Sequence, residues 1–472
     1  MTTELRHKEP LSIPTGSAAV AEMLRLAGPT VAQMASYTVM QFIDTWMLSR
    51  LGTTGPTAAG NAGMFAFSLV SFGVGTLFVV NTLVSQTYGR GEFKECGRYL
   101  GQGIWFSFAF AIFLVPFIVV LPAAFRGFGH EPELVAMESL YLRIVLANAV
   151  FKLLGTAFSQ FLLATNRPGA VMMSTIAGVG VNAIAAWALI FGHLGVHAHG
   201  IAGAAWAQNI GVLVEMIACI AFVLRPNFRR RFGALDWRPR AAEMMSLVTI
   251  GLPAGVQFIA DVLAWSLFCT WVMAAFGTAA MAANTFMFRY MVVSFMPAFG
   301  MSAAVTALVG RYIGMGRPDI ARKRANLGFV VTAIYMVSCG ILFFLGRNQL
   351  IGVFSSDPEV CRIGAQMLIF AAVYQFFDAV YIVYNGALRG AGDTFIPAVA
   401  TAVLCWGITV FGARWIAVHF PGWGTAGSWT AATIYGTILG IFIYARFHAG
   451  GWERIRLHSN AGIGSNVVCG NL

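Results

Sequence analysis

From residue 22 onward the chain is a succession of long apolar runs separated by short polar turns. A helix that crosses the hydrocarbon of a bilayer needs about 20 apolar residues. Twelve runs of that kind are present, at 22–49, 58–86, 95–122, 134–164, 168–192, 200–225, 246–276, 280–312, 322–345, 360–389, 395–418 and 424–447. Strands of a membrane barrel would alternate apolar and polar positions over about ten residues. These runs are instead continuous and rich in Leu, Ala, Phe and Val, so the pattern predicts an all-α integral membrane protein. The 52 glycines suit helices that pack closely in lipid.

The second half of the pattern rewrites the first. Leu26-Ala27-Gly28-Pro29 returns as Ile250-Gly251-Leu252-Pro253, and Tyr88-Gly89-Arg90-Gly91 as Ile313-Gly314-Met315-Gly316. Glu131-Pro132-Glu133 returns as Asp357-Pro358-Glu359, and Gly200-Ile201-Ala202-Gly203 as Gly424-Thr425-Ala426-Gly427. The division expected is a segment 1–21, a six-helix bundle 22–225, a linker 226–245, a second bundle 246–447 and a tail 448–472. Six is even, so the bundles share one orientation about an axis along the membrane normal, with a cleft between them.

Composition agrees: 58% of residues are hydrophobic and 10% charged, and mean hydropathy is +0.74, against about 25% charged in soluble proteins. The net charge of +11 is no nucleic-acid signature, because its placement explains it. With both termini cytoplasmic, 22 of the 30 basic residues fall on inside segments, and only Arg50, Arg126, Arg347 and Arg362 fall outside. That asymmetry sets the orientation. The basic run Arg225–Arg240 that enters the linker holds six arginines (225, 229, 230, 231, 238 and 240), expected to lie among anionic headgroups while the linker's length lets the bundles rock. The seven cysteines show no pairing rhythm and read as small apolar fillers. The polar tail from His458 reads as disordered.

Ionisable residues inside spans are costly and usually face a cavity or a partner. Gln33, Tyr37, Gln41 and Asp44 form one stripe on the first helix, Gln257 and Asp261 lie on the seventh, and Tyr374 and Asp378 share a face of the tenth. The repeat is broken here, since Asp261 corresponds to Tyr37, Asp44 to Phe268 and Asp378 to Lys152. The first half thus combines Asp44 with Lys152, and the second combines two carboxylates with Arg289. Either these are functional groups, with the carboxylate pair the stronger cation site, or Asp44–Lys152 and Asp261–Arg289 are buried structural pairs. A carboxylate in such a place can exchange protons or ligate Na⁺ with tyrosine and carbonyl oxygens. Glu215, nearer the end of its span, reads as a snorkelling side chain. His193, His197 and His199 resemble one piece of a di-iron histidine box, but no second set accompanies them.

The repeated Gly-x-Pro start, Phe42-Ile43-Asp44-Thr45, the Leu51-Gly52 and Phe276-Gly277 turns, Ala282-Ala283-Asn284 and Ala387-Leu388-Arg389-Gly390-Ala391-Gly392-Asp393 together resemble the multidrug and toxic compound extrusion (MATE) family. The branch most similar is the NorM type, and the likeness runs from about residue 22 to 447. It implies twelve transmembrane helices in two pseudo-symmetric bundles, the MATE/MOP fold. It places the family's first-helix aspartate at Asp44, the helix-bending proline at Pro29, the seventh-helix acid at Asp261, the tenth-helix pair at Tyr374 and Asp378, and the fifth-helix asparagine at Asn182. The acid expected four residues after that asparagine is Ala186, and the sixth-helix threonine position is Gln208. These departures shift weight to the carboxyl-terminal half.

The resemblance implies a transporter and no enzyme: an antiporter that exports cationic amphipathic molecules against H⁺ or Na⁺, Na⁺ having a candidate site at Asp261, Tyr374 and Asp378. No other cofactor and no nucleic acid is expected, and the protein is expected to be a monomer among lipids of a bacterial inner membrane. The rival is a lipid-linked oligosaccharide flippase of the same superfamily, which would line its cleft with cations such as Arg143, Lys152 and Arg289.

Overall fold

The computed structural model describes residues 14–50, 54–127, 131–195, 197–455 and 457. The expected segment 1–21 is thus described only from residue 14, and the Leu51-Gly52 turn, Cys469 and the tail from His458 lie outside these residues. Twelve long helical segments follow one another. They are α1 (Ser17–Ser49), α2 (Thr54–Leu77, continued as Val79–Gly89), α3 (Cys96–Gly127), α4 (Pro132–Ala147 and Ala149–Ala164), α5 (Pro168–Phe191) and α6 (Gly200–Val223). A short linker helix, Pro226–Phe232, leads to α7 (Ala241–Leu267, with further turns to Phe276), α8 (Thr278–Gly314), α9 (Pro318–Leu345), α10 (Pro358–Ala391), α11 (Phe395–Leu404, continued through Ala413–His419) and α12 (Gly424–His448).

Among the described residues ten helices are long and apolar enough to cross a membrane, and α4, bent by 43° at Asn148, makes an eleventh if its two parts count as one span. The twelfth is α1, 33 residues long, whose polar stripe lowers its apolar content. The prolines sit where backbone geometry permits them. Pro132, Pro168, Pro318 and Pro358 occupy first turns, where a missing N–H costs nothing. Gly277 joins α7 to α8 at φ +86°, a conformation that a side chain would strain.

The halves meet along two seams related by the repeat. On one, α1 crosses α8: the Thr30 hydroxyl lies 2.8 Å from the Gly300 carbonyl, and a Cβ at Gly300 would come within 2.8 Å of the Thr30 carbonyl. On the other, α2 crosses α7: a Cβ on Gly255 would stand 2.4 Å from the Thr76 hydroxyl and one on Gly251 2.9 Å from the Thr76 carbonyl. Each crossing is next to a helix-interior proline, Pro29 or Pro253.

The linker is docked as well as basic. Its aromatic residues fold onto the first half, where Phe232 is buried among Tyr88, Phe93, Phe161 and Phe228. Gln102 donates to the Arg238 carbonyl and Trp105 to that of Trp237. Arg225 lies over Phe222 and Arg231 over Phe93, while Arg240 pairs with Asp236 at 2.8 Å. These three arginines therefore hold protein partners, and the linker is strapped down, not slack. The strap depends on bare backbone: a Cβ at Gly97 would meet the Gly233 carbonyl at 2.0 Å. Gly97→Val is expected to unseat it and lower the thermal midpoint in detergent by several degrees, an overpacking cost of about 1–3 kcal/mol. An unchanged midpoint would show that the docking contributes nothing.

Candidate functional site

In the carboxyl-terminal half, α7, α10, α11 and α12 converge on two acids. Asp261 is half-buried on α7, and its Oδ1 lies 3.4 Å from the Tyr435 hydroxyl and 3.8 Å from the Cys405 thiol, both as donors. Asp378, on α10, is 6% exposed and makes no side-chain hydrogen bond among the described residues. Gln257 and Trp265, one turn either side of Asp261, contact Tyr381 and Tyr374, about one turn either side of Asp378, so the two acids lie at one level on neighbouring helices. No basic side chain pairs with either acid among the described residues. Tyr374 is buried beside them and packs edge-on against Trp265 at 5.8 Å. Trp265 also contacts Phe268, Phe288 and Trp429, which makes an aromatic wall next to uncompensated carboxylates. Such faces attract organic cations.

Gln257 works differently. Its amide nitrogen is within 2.9–3.3 Å of Tyr381, Asn385 and Thr401 oxygens, so it ties α7 to α10 and α11 directly below Asp261. Sequence reasoning missed Tyr381, Asn385, Cys405 and Tyr435. The first two had a signal: Tyr374, Asp378, Tyr381 and Asn385 are spaced four, three and four apart, one face of a helix. Cys405 and Tyr435 had none, because only the fold brings α11 and α12 to α7.

In the amino-terminal half, Asn182 donates to Asp44 Oδ2 at 3.5 Å. The remaining Asp44 oxygen, Oδ1, and the Asn182 amide oxygen are both buried without a donor among the described residues. A buried acceptor left without a donor is costly, and a proton or a small cation at Asp44 would relieve that cost. Gln41 is exposed on the same helix. Pro29 lies inside α1, which runs unbroken from Ser17 to Ser49.

Neither acid–base pair of the structural alternative forms among the described residues. Lys152 does not reach Asp44; its ammonium lies 4.4 Å over the ring of Tyr37. Arg289 is exposed on α8 and has no ion pair among the described residues, while Asp261 bonds to Tyr435 and Cys405. The physical reason is register: Tyr37 is interposed between Lys152 and the rest of the α1 stripe, and Arg289 lies off the buried face that carries Asn284, Met287 and Met291. Glu215 is likewise no snorkelling side chain. It is 7% exposed and accepts hydrogen bonds from Tyr37 (2.5 Å) and Thr175 (2.7 Å), joining α1, α5 and α6. Tyr37→Phe is expected to remove one charged hydrogen bond worth about 1.5–3 kcal/mol, lowering the unfolding midpoint while the Asp261–Asp378 site still binds substrate. Loss of binding with an unchanged midpoint would reverse that assignment.

His193 stacks on Trp187 at 4.3 Å, and no group of three or more His, Cys, Asp or Glu side chains placed to hold a metal occurs among the described residues.

Among the described residues, every side-chain hydrogen bond between the halves lies on the linker side of these acids. Thr82 donates to the Arg389 carbonyl and Gln86 to that of Gly390, which is what the Ala387–Asp393 motif does here. Tyr312 and Arg324 hold Glu22. At the end of this seal Gly89 and Gly314 lie backbone to backbone: a Cβ on either would meet the carbonyl of Arg311 or of Gln86 at 2.1 Å.

Comparison with known proteins gives the family. The MatE family model matches residues 29–188 and 253–413, one match in each half. A probable multidrug resistance protein NorM of Mesorhizobium japonicum is 30% identical over 86% of this chain and 88% of its own. The NorM of Pseudomonas syringae pv. tomato is 29% identical over 94% and 97%, and the multidrug resistance protein PmpM of Pseudomonas aeruginosa 26% identical over 83% and 82%. Among solved structures, the eukaryotic MATE transporter AtDTX14 superposes with TM-score 0.83 at 18% identity, covering 92% of this chain and 96% of that one. A MOP superfamily transporter from Pyrococcus furiosus also reaches 0.83 at 18% identity, covering 91% and 95%. With the family model spanning both halves and the twelve-helix fold shared, this chain belongs to the MatE family of membrane transporters and is not an enzyme.

Proposed function

We propose that the protein is a secondary active exporter of cationic amphipathic molecules, driven by inward H⁺ or Na⁺. The observation that carries this reading is the pair Asp261 and Asp378, two carboxylates within electrostatic reach of one another, beside an aromatic wall and without a basic partner. A cation held there is favoured by both charges, and coupling ion and substrate draw on the same two carboxylates. Coupling ion and substrate thus exclude each other from one site, which is the requirement for antiport. Names of relatives support the substrate class, since NorM and PmpM proteins are multidrug resistance proteins. An inward-moving cation gains about 2.3 kcal/mol per charge for each ~100 mV of membrane potential.

Asp44 and Asn182 provide a second place for the coupling ion, on the helix that carries Pro29. A proline removes one backbone bond and leaves a natural bending point, so occupancy of Asp44 would reach the seam at Thr30 and Gly300. Orientation follows the basic asymmetry: the linker face is cytoplasmic, in a bacterial inner membrane. With the seal on that face, the acids are reached from the opposite side.

The flippase alternative is weaker here. Arg143 lines the groove between the ends of α3 and α4 with Arg126, and the Lys152 ammonium is engaged over the Tyr37 ring. Proteoliposomes with separately imposed Na⁺ and H⁺ gradients test the proposal. One of the two gradients should drive uptake of a fluorescent organic cation into inverted vesicles. Transport indifferent to both would refute ion-coupled export.

A further inference from the structure

Away from the cleft, a groove of about 620 Å³ lies between the ends of α3 and α4 on the side opposite the linker, lined by Pro122, Arg126, Pro132, Ser139, Leu140 and Arg143 among others. The groove is at the protein's periphery. Of the ten apolar spans, the one containing α3 is the least covered by protein, with 22% of its apolar window buried. The other face of α4, bearing Glu138, Tyr141 and Leu142, is the buried one.

Arg143 is eleven residues into α4, about 16 Å along the helix at 1.5 Å per residue. An exposed arginine at such depth is expensive in lipid unless its charge is met. Neither Arg143 nor Arg126 has an ion pair among the described residues. Side chains on a helix lean toward its N-terminus, and for α4 that is the outer end, where Arg126 closes α3. The two guanidiniums therefore line one groove from its two walls, with Ser139 between them and an apolar floor of proline and leucine.

We infer that this groove binds the phosphate of an anionic phospholipid. The headgroup phosphate would accept from Arg126, Arg143 and the Ser139 hydroxyl, and an acyl chain would lie along the apolar floor. Guanidinium donors match phosphate oxygens in pairs, and two of them leave positive charge that a zwitterionic headgroup, which carries its own cation, would not offset. A free phosphate shares the donor chemistry but leaves the floor uncovered.

Delipidated full-length protein, with added phosphatidylglycerol, phosphatidylcholine or inorganic phosphate, tests the site through thermal unfolding and native mass spectrometry of retained lipid. Phosphatidylglycerol should raise the wild-type midpoint and remain bound, and phosphatidylcholine and inorganic phosphate should do much less. The exposed double substitution Arg126→Gln/Arg143→Gln should weaken phosphatidylglycerol retention roughly tenfold or more, while Arg143→Lys keeps part of it. Equal effects of the two lipids on the wild type, an equal effect of inorganic phosphate, or an undiminished phosphatidylglycerol preference in the double variant would each overturn the assignment.

Discussion

Asp378→Asn and Asp261→Asn are each expected to reduce ion-driven export of an organic cation by roughly 10- to 100-fold, the consequence of losing about 1.5–3 kcal/mol from one charged partner. The two should not fail identically. Asp378 has no hydrogen-bond donor among the described residues, so an amide there removes charge and little else. Asp261 is held by Tyr435 and Cys405, so the amide also disturbs the contact of α7 with α11 and α12. Asp378→Asn protein should therefore fold with a wild-type unfolding midpoint and still lose coupling, whereas Asp261→Asn should lose coupling together with some stability. Wild-type export by Asp378→Asn vesicles under an imposed ion gradient would remove the acid pair from the mechanism.

The second large effect is expected far from those acids. Gly314→Val places a branched side chain where even a Cβ would stand 2.1 Å from the Gln86 carbonyl. Backbone cannot yield as the end of a flexible side chain can, so the linker-side seal cannot close as it stands. If the closed seal loses about 3 kcal/mol against the open one, their ratio moves by roughly 100-fold. Export should collapse while each half stays folded, and spin labels on the linker-side ends of α2 and α8 should report a longer separation. A normal short separation with normal export would mean that the seal plays no part in the cycle. Gly89→Val should behave alike, since its Cβ would meet the Arg311 carbonyl at the same distance.

Much of the fold could be read from the chain because lipid leaves few choices. A run of twenty apolar residues must be helical to satisfy its own backbone, and the doubled motifs at Pro29 and Pro253 point to two like halves. The acids were legible for the same reason, since Asp44, Asp261 and Asp378 each interrupt an apolar run. Their partners were not. Spacing on one helix says which residues share a face, as with Tyr374 and Asp378, but not which helix that face meets. Hence Lys152 and Arg289 were matched to acids by charge alone, whereas Tyr37 occupies the place beside Lys152, and Glu215 proved buried between two hydroxyl donors. The docking of the linker was not legible for a related reason: its arginines dominate the composition, yet Phe232, Trp237 and the bare backbone at Gly97 decide where it lies.

The central claim is that the coupling ion and the exported cation compete for the Asp261–Asp378 site. Its most direct test is binding of an organic cation to purified protein, by calorimetry or fluorescence, in buffers of different ionisation enthalpy and across a range of Na⁺ concentration. The account predicts that binding releases a proton or displaces Na⁺, that affinity falls as the coupling ion rises, and that this linkage vanishes in Asp378→Asn. An affinity independent of both ions, with no proton release and the same in Asp378→Asn, would contradict it.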